Sequence, residues 1–87
     1  MMRLFVAGLP FDLSELDLWE LFQQYGEVAD ARIVRDHETQ QSRGFGFVTM
    51  ENARDGLLAI QMLHRSELGA RRIAVREAEA PRRVPQT

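Results

Sequence analysis

The chain has 87 residues and contains no cysteine, no lysine and only two histidines. Without cysteine it can form neither a disulfide framework nor a thiol-based catalytic site. The two histidines, His37 and His64, lie far apart in the sequence and have no thiol partners, so a zinc site is not expected. We therefore predict that the protein works without a metal ion and without a cofactor.

Long apolar segments are also missing. No run approaches the roughly 20 apolar residues that span a bilayer, and Met1-Met2-Arg3 leads directly into a strand pattern instead of a signal peptide. The length suits one small domain, and 45 % hydrophobic with 28 % charged residues is the composition of a globular protein. These features predict a cytoplasmic, monomeric protein that does not contact a membrane.

The net charge of -2 does not suggest a nucleic-acid-binding protein, because most phosphate binders are basic. The charges are nevertheless unevenly distributed. Residues 1–30 hold six acids and one arginine, whereas residues 71–87 hold five arginines against Glu77 and Glu79. All eleven basic residues are arginine, which favours planar stacking and bidentate phosphate contacts. A genome composition that replaces lysine by arginine throughout explains this choice equally well.

Residues 43–50, with the sequence RGFGFVTM, have the pattern of an aromatic strand. Since side chains alternate along a strand, one face collects four of them: Arg43, Phe45, Phe47 and Thr49. Soluble proteins normally bury phenylalanine, so two neighbouring outward rings indicate a ligand. Flat rings beside a positive charge suit an unstacked base and its phosphate. Gly44 and Gly46 are expected to leave room for the base to lie flat.

Strand patterns occur four times, each bounded by turn residues. They lie at residues 4–7, at 28–35, at 43–50 and around Ile73 and Val75. Residues 36–42 are polar throughout and are predicted to form the hairpin loop between the second and third strands.

Two further segments carry apolar residues at helical spacing. The first helix is predicted to begin with a capping box of Ser14 and Asp17 and to end at Gly26. Its apolar stripe consists of Leu18, Leu21, Phe22 and Tyr25. The second helix is predicted from Asn52 or Ala53 to about Leu63, weakened by Gly56. Its stripe consists of Leu57, Ile60 and Leu63, joined by Ala53 and Ala59.

The order strand, helix, strand, strand, helix, strand predicts an α+β domain of the ferredoxin-like βαββαβ type. Two helices would pack on one face of a four-stranded antiparallel sheet and leave the other face open. The first and third strands would pair at its centre, so Phe5 is expected beside Phe45 and Phe47. The open face would then collect the outward residues of the strands: Phe5, Arg32, Arg43, Phe45, Phe47, Thr49, Arg72 and Arg76.

These residues match a known family. Over residues 3–78 the chain resembles the RNA recognition motif: Leu4–Leu9 is similar to the hexamer of the family's first strand, and RGFGFVTM to the octamer of its third. Residues 25–28, 35–39 and 75–78 also fit the family. The compact length and the acidic-to-basic ending most resemble small single-domain bacterial members. Met50 and Gln40 depart from the family, which often has an aromatic residue and a glycine there; Met50 is expected to face the core.

The resemblance implies a role for individual residues. Phe5 and Phe47 would each stack on a base, Phe45 would insert between sugar rings, and Arg43 would bind a phosphate. The full set of implied RNA-binding residues is Phe5, Arg43, Phe45, Phe47, Arg76, Arg3, Arg32, Thr49 and Arg72. A solvated position explains Arg32 and Arg72 equally well, and Arg43 has a structural ion pair as its alternative. Residues 1–78 would form the domain, followed by a basic, mobile tail at 79–87 whose Arg82 and Arg83 would steer the ligand.

Single-stranded RNA binding without catalysis is the function that this pattern favours. Single-stranded DNA is an alternative ligand. A second hypothesis is a protein-interaction module that uses the acidic helical face with Asp17, Glu20 and Trp19. A third, a small phosphatase on the same strand order, would need a glycine-rich loop near an asparagine, and Asn52 is the only asparagine.

Overall fold

The computed structural model describes residues 1–78 and contains the expected elements together with one addition. The elements are β1 (Met2–Ala7), α1 (Glu15–Gln23), β2 (Val28–Arg35), β3 (Ser42–Met50), α2 (Ala53–Leu63), β4 (Glu67–Leu68), β5 (Arg71–Arg72) and β6 (Ala74–Glu77). The added part is the short ribbon formed by β4 and β5. Neither helix in this part of the chain is long and apolar enough to cross a membrane.

Four strands form one antiparallel sheet in the order β2-β3-β1-β6. The central pair is β1 with β3, in a register that places Phe5 opposite Phe47. On the other side of β1, Phe5 lies opposite Arg76 of β6. The ferredoxin-like prediction is therefore confirmed, including the central position of the two motif strands.

The core lies between the sheet and the two helices. Strand alternation buries Leu4 and Val6 of β1 together with Val48 and Met50 of β3, and all four are fully inaccessible. Both helices contribute to the same cluster, so they cover one face of the sheet. The expectation that Met50 faces the core is confirmed. Each such side chain stabilises the fold by about 1.5–3 kcal/mol relative to an exposed one.

Helix α1 begins as the sequence predicts. The Ser14 hydroxyl accepts a hydrogen bond from the Asp17 backbone N–H at 3.1 Å, and the Asp17 carboxylate accepts one from the Ser14 N–H at 3.1 Å. This reciprocal capping box satisfies two N–H groups that a helix start leaves unpaired. Leu18 and Phe22 are fully buried, as their stripe predicts.

Helix α2 buries part of its predicted stripe: Ala59 and Leu63 lie in the core and Ile60 packs against it, but Leu57 does not. Leu57 is 56 % exposed, and the buried residues are Gly56, Ala59 and Leu63. A Cβ atom on Gly56 would lie 2.7 Å from the Met2 sulfur, so the absence of a side chain allows β1 to pack against the helix. The prediction for Leu57 was wrong because a hydrophobic stripe cannot reveal that a glycine faces the core.

The ribbon changes the position of Arg72. This residue was expected on the fourth strand of the sheet, but it lies in β5, where it pairs with Glu67 across a two-residue turn. Gly69 in that turn adopts φ +64, a conformation that glycine reaches without strain. The Arg72 guanidinium is 3.9 Å from the Glu67 carboxylate. The fourth strand of the sheet is β6, and it begins only at Ala74.

Candidate nucleic-acid interface

One row of residues crosses the open face of the sheet. Register places Arg32 opposite Phe47, Phe47 opposite Phe5, and Phe5 opposite Arg76. Directly opposed residues of antiparallel strands point to the same face, so two aromatic rings lie at the centre of the row with an arginine at each end. The four strands thus bring together residues that are far apart in the sequence.

Three partly exposed rings form the centre of this surface, and we call Phe5, Phe45 and Phe47 the aromatic platform. The Phe5 centroid is 5.7 Å from that of Phe45 and 5.6 Å from that of Phe47, with interplanar angles of 43° and 58°. The rings therefore contact one another in tilted arrangements and do not stack face to face. All three rings are partly exposed on the open face of the sheet.

Two arginines lie over the platform. The guanidinium carbon of Arg3 is 4.3 Å from the Phe47 centroid, and that of Arg76 is 5.1 Å from the Phe5 centroid. These distances are typical of cation–π contacts, which hold the positive charges close to the rings. Arg3 also lies opposite Thr49, so Thr49 occupies the next row of the same face.

The remaining arginines of the predicted site differ in their electrostatic partners. Arg32 forms an ion pair with Asp30 of the same strand, with 3.1 Å between Nε and the carboxylate, and its side chain is 74 % exposed. Within residues 1–78, the ion pairs involve Arg32, Arg35 and Arg72 and none involves Arg3, Arg43 or Arg76. The alternative of a structural ion pair for Arg43 is therefore not realised among these residues.

The loop between β2 and β3 is ordered by a carboxylate. Asp36 accepts hydrogen bonds from the backbone N–H groups of Glu38 and Thr39 at 2.8 and 3.1 Å. The N–H of Thr39 and that of Glu38 lower the pKa of Asp36, and the positive charge of Arg43 adds to this effect. Gln40 at the loop tip adopts φ +66, so the turn keeps a left-handed residue although the glycine common in the family is missing.

A second ion pair connects the first helix to the sheet. Arg35 of β2 donates to Glu15 at the start of α1 over 2.9 Å. This hydrogen bond lowers the pKa of the Glu15 carboxyl and outweighs the opposing effect of its partial burial. The contact fixes the helix start close to the end of β2 that leads into the loop.

The glycines of the octamer have a different purpose from the expected one. Gly44 and Gly46 alternate to the buried face, away from the rings. A Cβ atom on Gly46 would overlap the backbone carbonyl oxygen of Arg32, and Gly44 adopts φ +85. The expectation that they leave room for a base was wrong, because the close approach of β2 and the backbone conformation of β3 require them.

One aromatic residue was missed by sequence reasoning. Phe11, in the loop between β1 and α1, is 63 % exposed, and the guanidinium carbon of Arg71 lies 5.3 Å from its centroid. Its sequence signal is a phenylalanine after Pro10 and ahead of the Ser14 cap, where no helix or strand would bury it. Trp19, by contrast, is half-buried and packs against the core.

The curated proteins most similar to this chain include plant relatives that are much longer. The chloroplastic RNA-binding protein CP31B of Arabidopsis thaliana is 46 % identical over 77 residues, which cover 88 % of this chain and 27 % of that protein. The chloroplastic RNA-binding protein CP33 of the same species is 41 % identical over 80 residues, covering 92 % and 24 %. The chain thus spans about a quarter of the length of these relatives.

The predicted cytoplasmic location was wrong. These two relatives, and the 31 kDa ribonucleoprotein of Nicotiana sylvestris, are named as chloroplastic proteins. Composition and the lack of a long apolar segment do not report a compartment, because the segments that direct a protein to an organelle are separate from the domain that folds. The resemblance to small bacterial members stays a prediction.

Solved structures agree with the fold at high similarity. A crystal structure described as RNA-binding protein PG1 superposes with a TM-score of 0.89 at 44 % identity, covering 94 % of this chain and all of that one. A complex of the Sex-lethal protein with RNA superposes with a TM-score of 0.87 at 32 % identity, covering 91 % of this chain and 47 % of that one. The sequence profile described as the RNA recognition motif matches residues 4–74. With both strand motifs on the central strands of a βαββαβ fold, the chain belongs to the RNA recognition motif family.

Proposed function

We propose that this chain binds single-stranded RNA on the open face of its sheet. The observation that carries the proposal is the central row, in which Phe5 and Phe47 lie side by side between Arg32 and Arg76. A planar base stacks on each ring, and the guanidiniums contact the phosphates that connect the bases. Phe45, within 5.7 Å of Phe5, extends the apolar contact toward the sugars.

The energetics support a short binding site. Stacking of one base on one aromatic side chain contributes about 1–3 kcal/mol, and the three rings accommodate roughly two to four nucleotides. Arg3 and Arg76 lie over the rings, so a base that stacks on Phe47 or Phe5 displaces a guanidinium from the ring face, and the displaced arginine stays close enough to contact the phosphate of the bound strand. Arg43, exposed at the start of the octamer, is a further phosphate contact.

The comparisons support the same ligand class. The relatives are named as RNA-binding proteins, and one structural neighbour at 32 % identity was solved with RNA. We propose a binding role without catalysis, which these names support and which agrees with a surface built from rings and guanidiniums. Stacking alone does not distinguish RNA from single-stranded DNA, so discrimination would depend on contacts to the 2′-hydroxyl.

Substitution of Phe47 by alanine tests the proposal. Phe47→Ala removes the ring at the centre of the row and should weaken RNA binding by about 1–3 kcal/mol, with little change in fold stability because the ring is partly exposed. The ligand is an RNA selected from a random pool, titrated by fluorescence anisotropy beside single-stranded DNA of the same sequence.

Leu57→Ala serves as the control in this experiment. Leu57 is 56 % exposed on α2, on the helical side of the sheet, so its loss should leave RNA affinity unchanged. Equal affinity of Phe47→Ala and the parent for the selected RNA would contradict the proposal. Tighter binding of the matching DNA would instead favour the single-stranded DNA alternative.

A second candidate function is protein interaction through the helical face. Leu16 of α1 is 62 % exposed and lines a shallow groove with Trp19 and Ala29. Tryptophan is enriched among the residues that dominate binding at protein interfaces, so Trp19 would be the anchor of such a contact. Chemical-shift mapping with the selected RNA separates the two functions: shifts on β1 and β3 support RNA binding, and shifts confined to α1 and α2 favour this second candidate.

A further inference from the structure

One end of the sheet collects three connecting segments. Ala7, at the end of β1, lies opposite Phe45 near the start of β3 and opposite Ala74 at the start of β6. The β1–α1 loop, the β2–β3 loop and the β4–β5 ribbon therefore meet at this end. We call it the rim.

Phe11 is the exposed ring of the rim. At 63 % it is the one aromatic side chain within residues 1–78 that is more than half exposed. A concave surface lies on each side of it, one lined by Gln40 and Gln41 and the other by Gly69 and Arg71. Phe11 therefore presents an accessible aromatic ring between two open concavities, and the contacts around it decide which ligand this ring would suit.

The rim adjoins the strand that carries two rings of the aromatic platform. The Phe11 ring packs beside Gly44, because a Cβ atom on that glycine would lie 3.3 Å from Phe11 Cε1. Gly44 directly precedes Phe45, and the Leu9 N–H donates to the Gly44 carbonyl oxygen at 2.9 Å. The loop that carries Phe11 is thus fastened to the strand that carries two rings of the platform.

Phe11 also has the same kind of partner as the platform rings. Arg71 lies over Phe11 at 5.3 Å, just as Arg3 lies over Phe47 at 4.3 Å and Arg76 over Phe5 at 5.1 Å. A ring with a guanidinium over it suits a base and its phosphate, whereas a protein-docking anchor needs no adjoining charge. Asp12 lines both concavities and opposes anion binding, and Arg35 in the first concavity is already paired with Glu15. Arg71 is therefore the arginine of the rim that is placed to contact a phosphate beside Phe11.

We propose that Phe11 and Arg71 form a separate nucleotide subsite at the rim, which receives a base of the same strand after the strand leaves the platform. Phe11 stacks on the base and Arg71 contacts its phosphate. This inference rests on the proposed function, and it predicts that long RNA strands gain affinity from a residue that short strands never reach.

The test compares oligouridylates of about 4 and about 10 nucleotides, since stacking tolerates any base. Phe11→Ala should weaken binding of the longer strand by about fivefold or more and leave the shorter strand unaffected. Phe47→Ala should weaken both. The longer strand also binds more tightly because it offers more positions at which binding can start, but this statistical gain is the same for every variant. The ratio of the affinities for the long and the short strand, compared between variants, therefore measures the contribution of the rim alone.

Two further variants identify the chemistry. Phe11→Tyr keeps a flat ring and should retain the gain, whereas Phe11→Leu keeps only apolar volume and should lose it. The inference is overturned if Phe11→Ala has the length dependence of the parent, or if Phe11→Leu retains the full gain. If Phe47→Ala binds both strands as the parent does, the proposed function fails, and the rim subsite fails with it.

Discussion

At the scale of single residues, Gly46 of β3 lies so close to the backbone of β2 that there is no room for a side chain. The position that a Cβ would occupy coincides with the Arg32 carbonyl oxygen, which is part of the main chain and cannot rotate away. Gly56 is crowded in a different manner, because its neighbour is the flexible Met2 thioether. Both glycines are crowded, but they should respond differently to the same substitution because only Gly56 has a neighbour that can move.

Gly46→Ala is expected to lower the free energy of unfolding by about 1–3 kcal/mol, because the added methyl group forces β2 away from β3. Gly56→Ala should be close to neutral, since its gain of about 1 kcal/mol in helix propensity offsets the displacement of Met2. Urea denaturation of both variants measures the difference. A Gly46→Ala variant as stable as the parent would contradict the assigned contact with β2.

The residues that sequence reasoning located correctly are those with a periodic environment. Phe5, Phe45 and Phe47 were assigned to one surface because strand alternation has a period of two, and the structure brings them together. Phe11 was missed because a loop has no period from which orientation can be inferred. Leu57 was misplaced because the inward position beside it belongs to a glycine, which has no hydrophobic signal.

At the scale of elements, the capping box makes α1 start at a defined residue. The helix has nine residues, which is too short for stability on its own, so its end contacts and its packing must support it. The Arg35–Glu15 ion pair joins the same end to β2. The start of α1 is therefore a point where a local sequence signal and a tertiary contact coincide.

Ser14→Ala should destabilise the domain by about 1 kcal/mol, because the Asp17 N–H loses its acceptor. Ser14→Asp keeps an acceptor at the helix start and should retain most of the stability. Thermal unfolding followed by circular dichroism compares the two variants with the parent. If both variants unfold at the same temperature, the hydroxyl does not stabilise the helix as its geometry implies.

The β4–β5 ribbon shows where prediction of elements reaches its limit. Each strand has two residues, so neither has enough positions to display alternation. Gly69 indicates a turn in the sequence, but a glycine alone does not distinguish the turn of a β-ribbon from an irregular loop. The elements of six residues or more were all predicted. The fourth strand of the sheet, β6, has only four residues but was also predicted, from Ile73 and Val75.

At the scale of the whole molecule, the net charge of -2 sets a limit on electrostatic attraction. Three arginines of the open face, Arg3, Arg43 and Arg76, have no ion-pair partner among the residues that the structure describes. Arg82 and Arg83, which were predicted to steer the ligand from a basic tail, lie outside those residues. Stacking should therefore contribute more to affinity than long-range attraction does.

RNA affinity should fall with increasing salt, but with a shallow slope. If three arginines each neutralise one phosphate, the slope of the logarithm of the association constant against the logarithm of salt concentration is about -2. Anisotropy titrations over a range of potassium chloride concentrations measure it. Phe47→Ala should lower the affinity without changing the slope, and an affinity independent of salt would show that phosphates are not contacted.

Asp30 makes the net positive charge of the open face smaller at its β2 edge than at its β6 edge. Its carboxylate accepts a hydrogen bond from Nε of Arg32 at 3.1 Å. The terminal amino groups of this exposed guanidinium stay free to donate, but the carboxylate lowers the net positive charge that a phosphate meets there. Arg76, at the opposite end of the central row, has no ion-pair partner among residues 1–78. A phosphate therefore meets more net positive charge at the β6 end of the central row than at the β2 end, and we expect this difference to favour a position of the bound strand closer to β6.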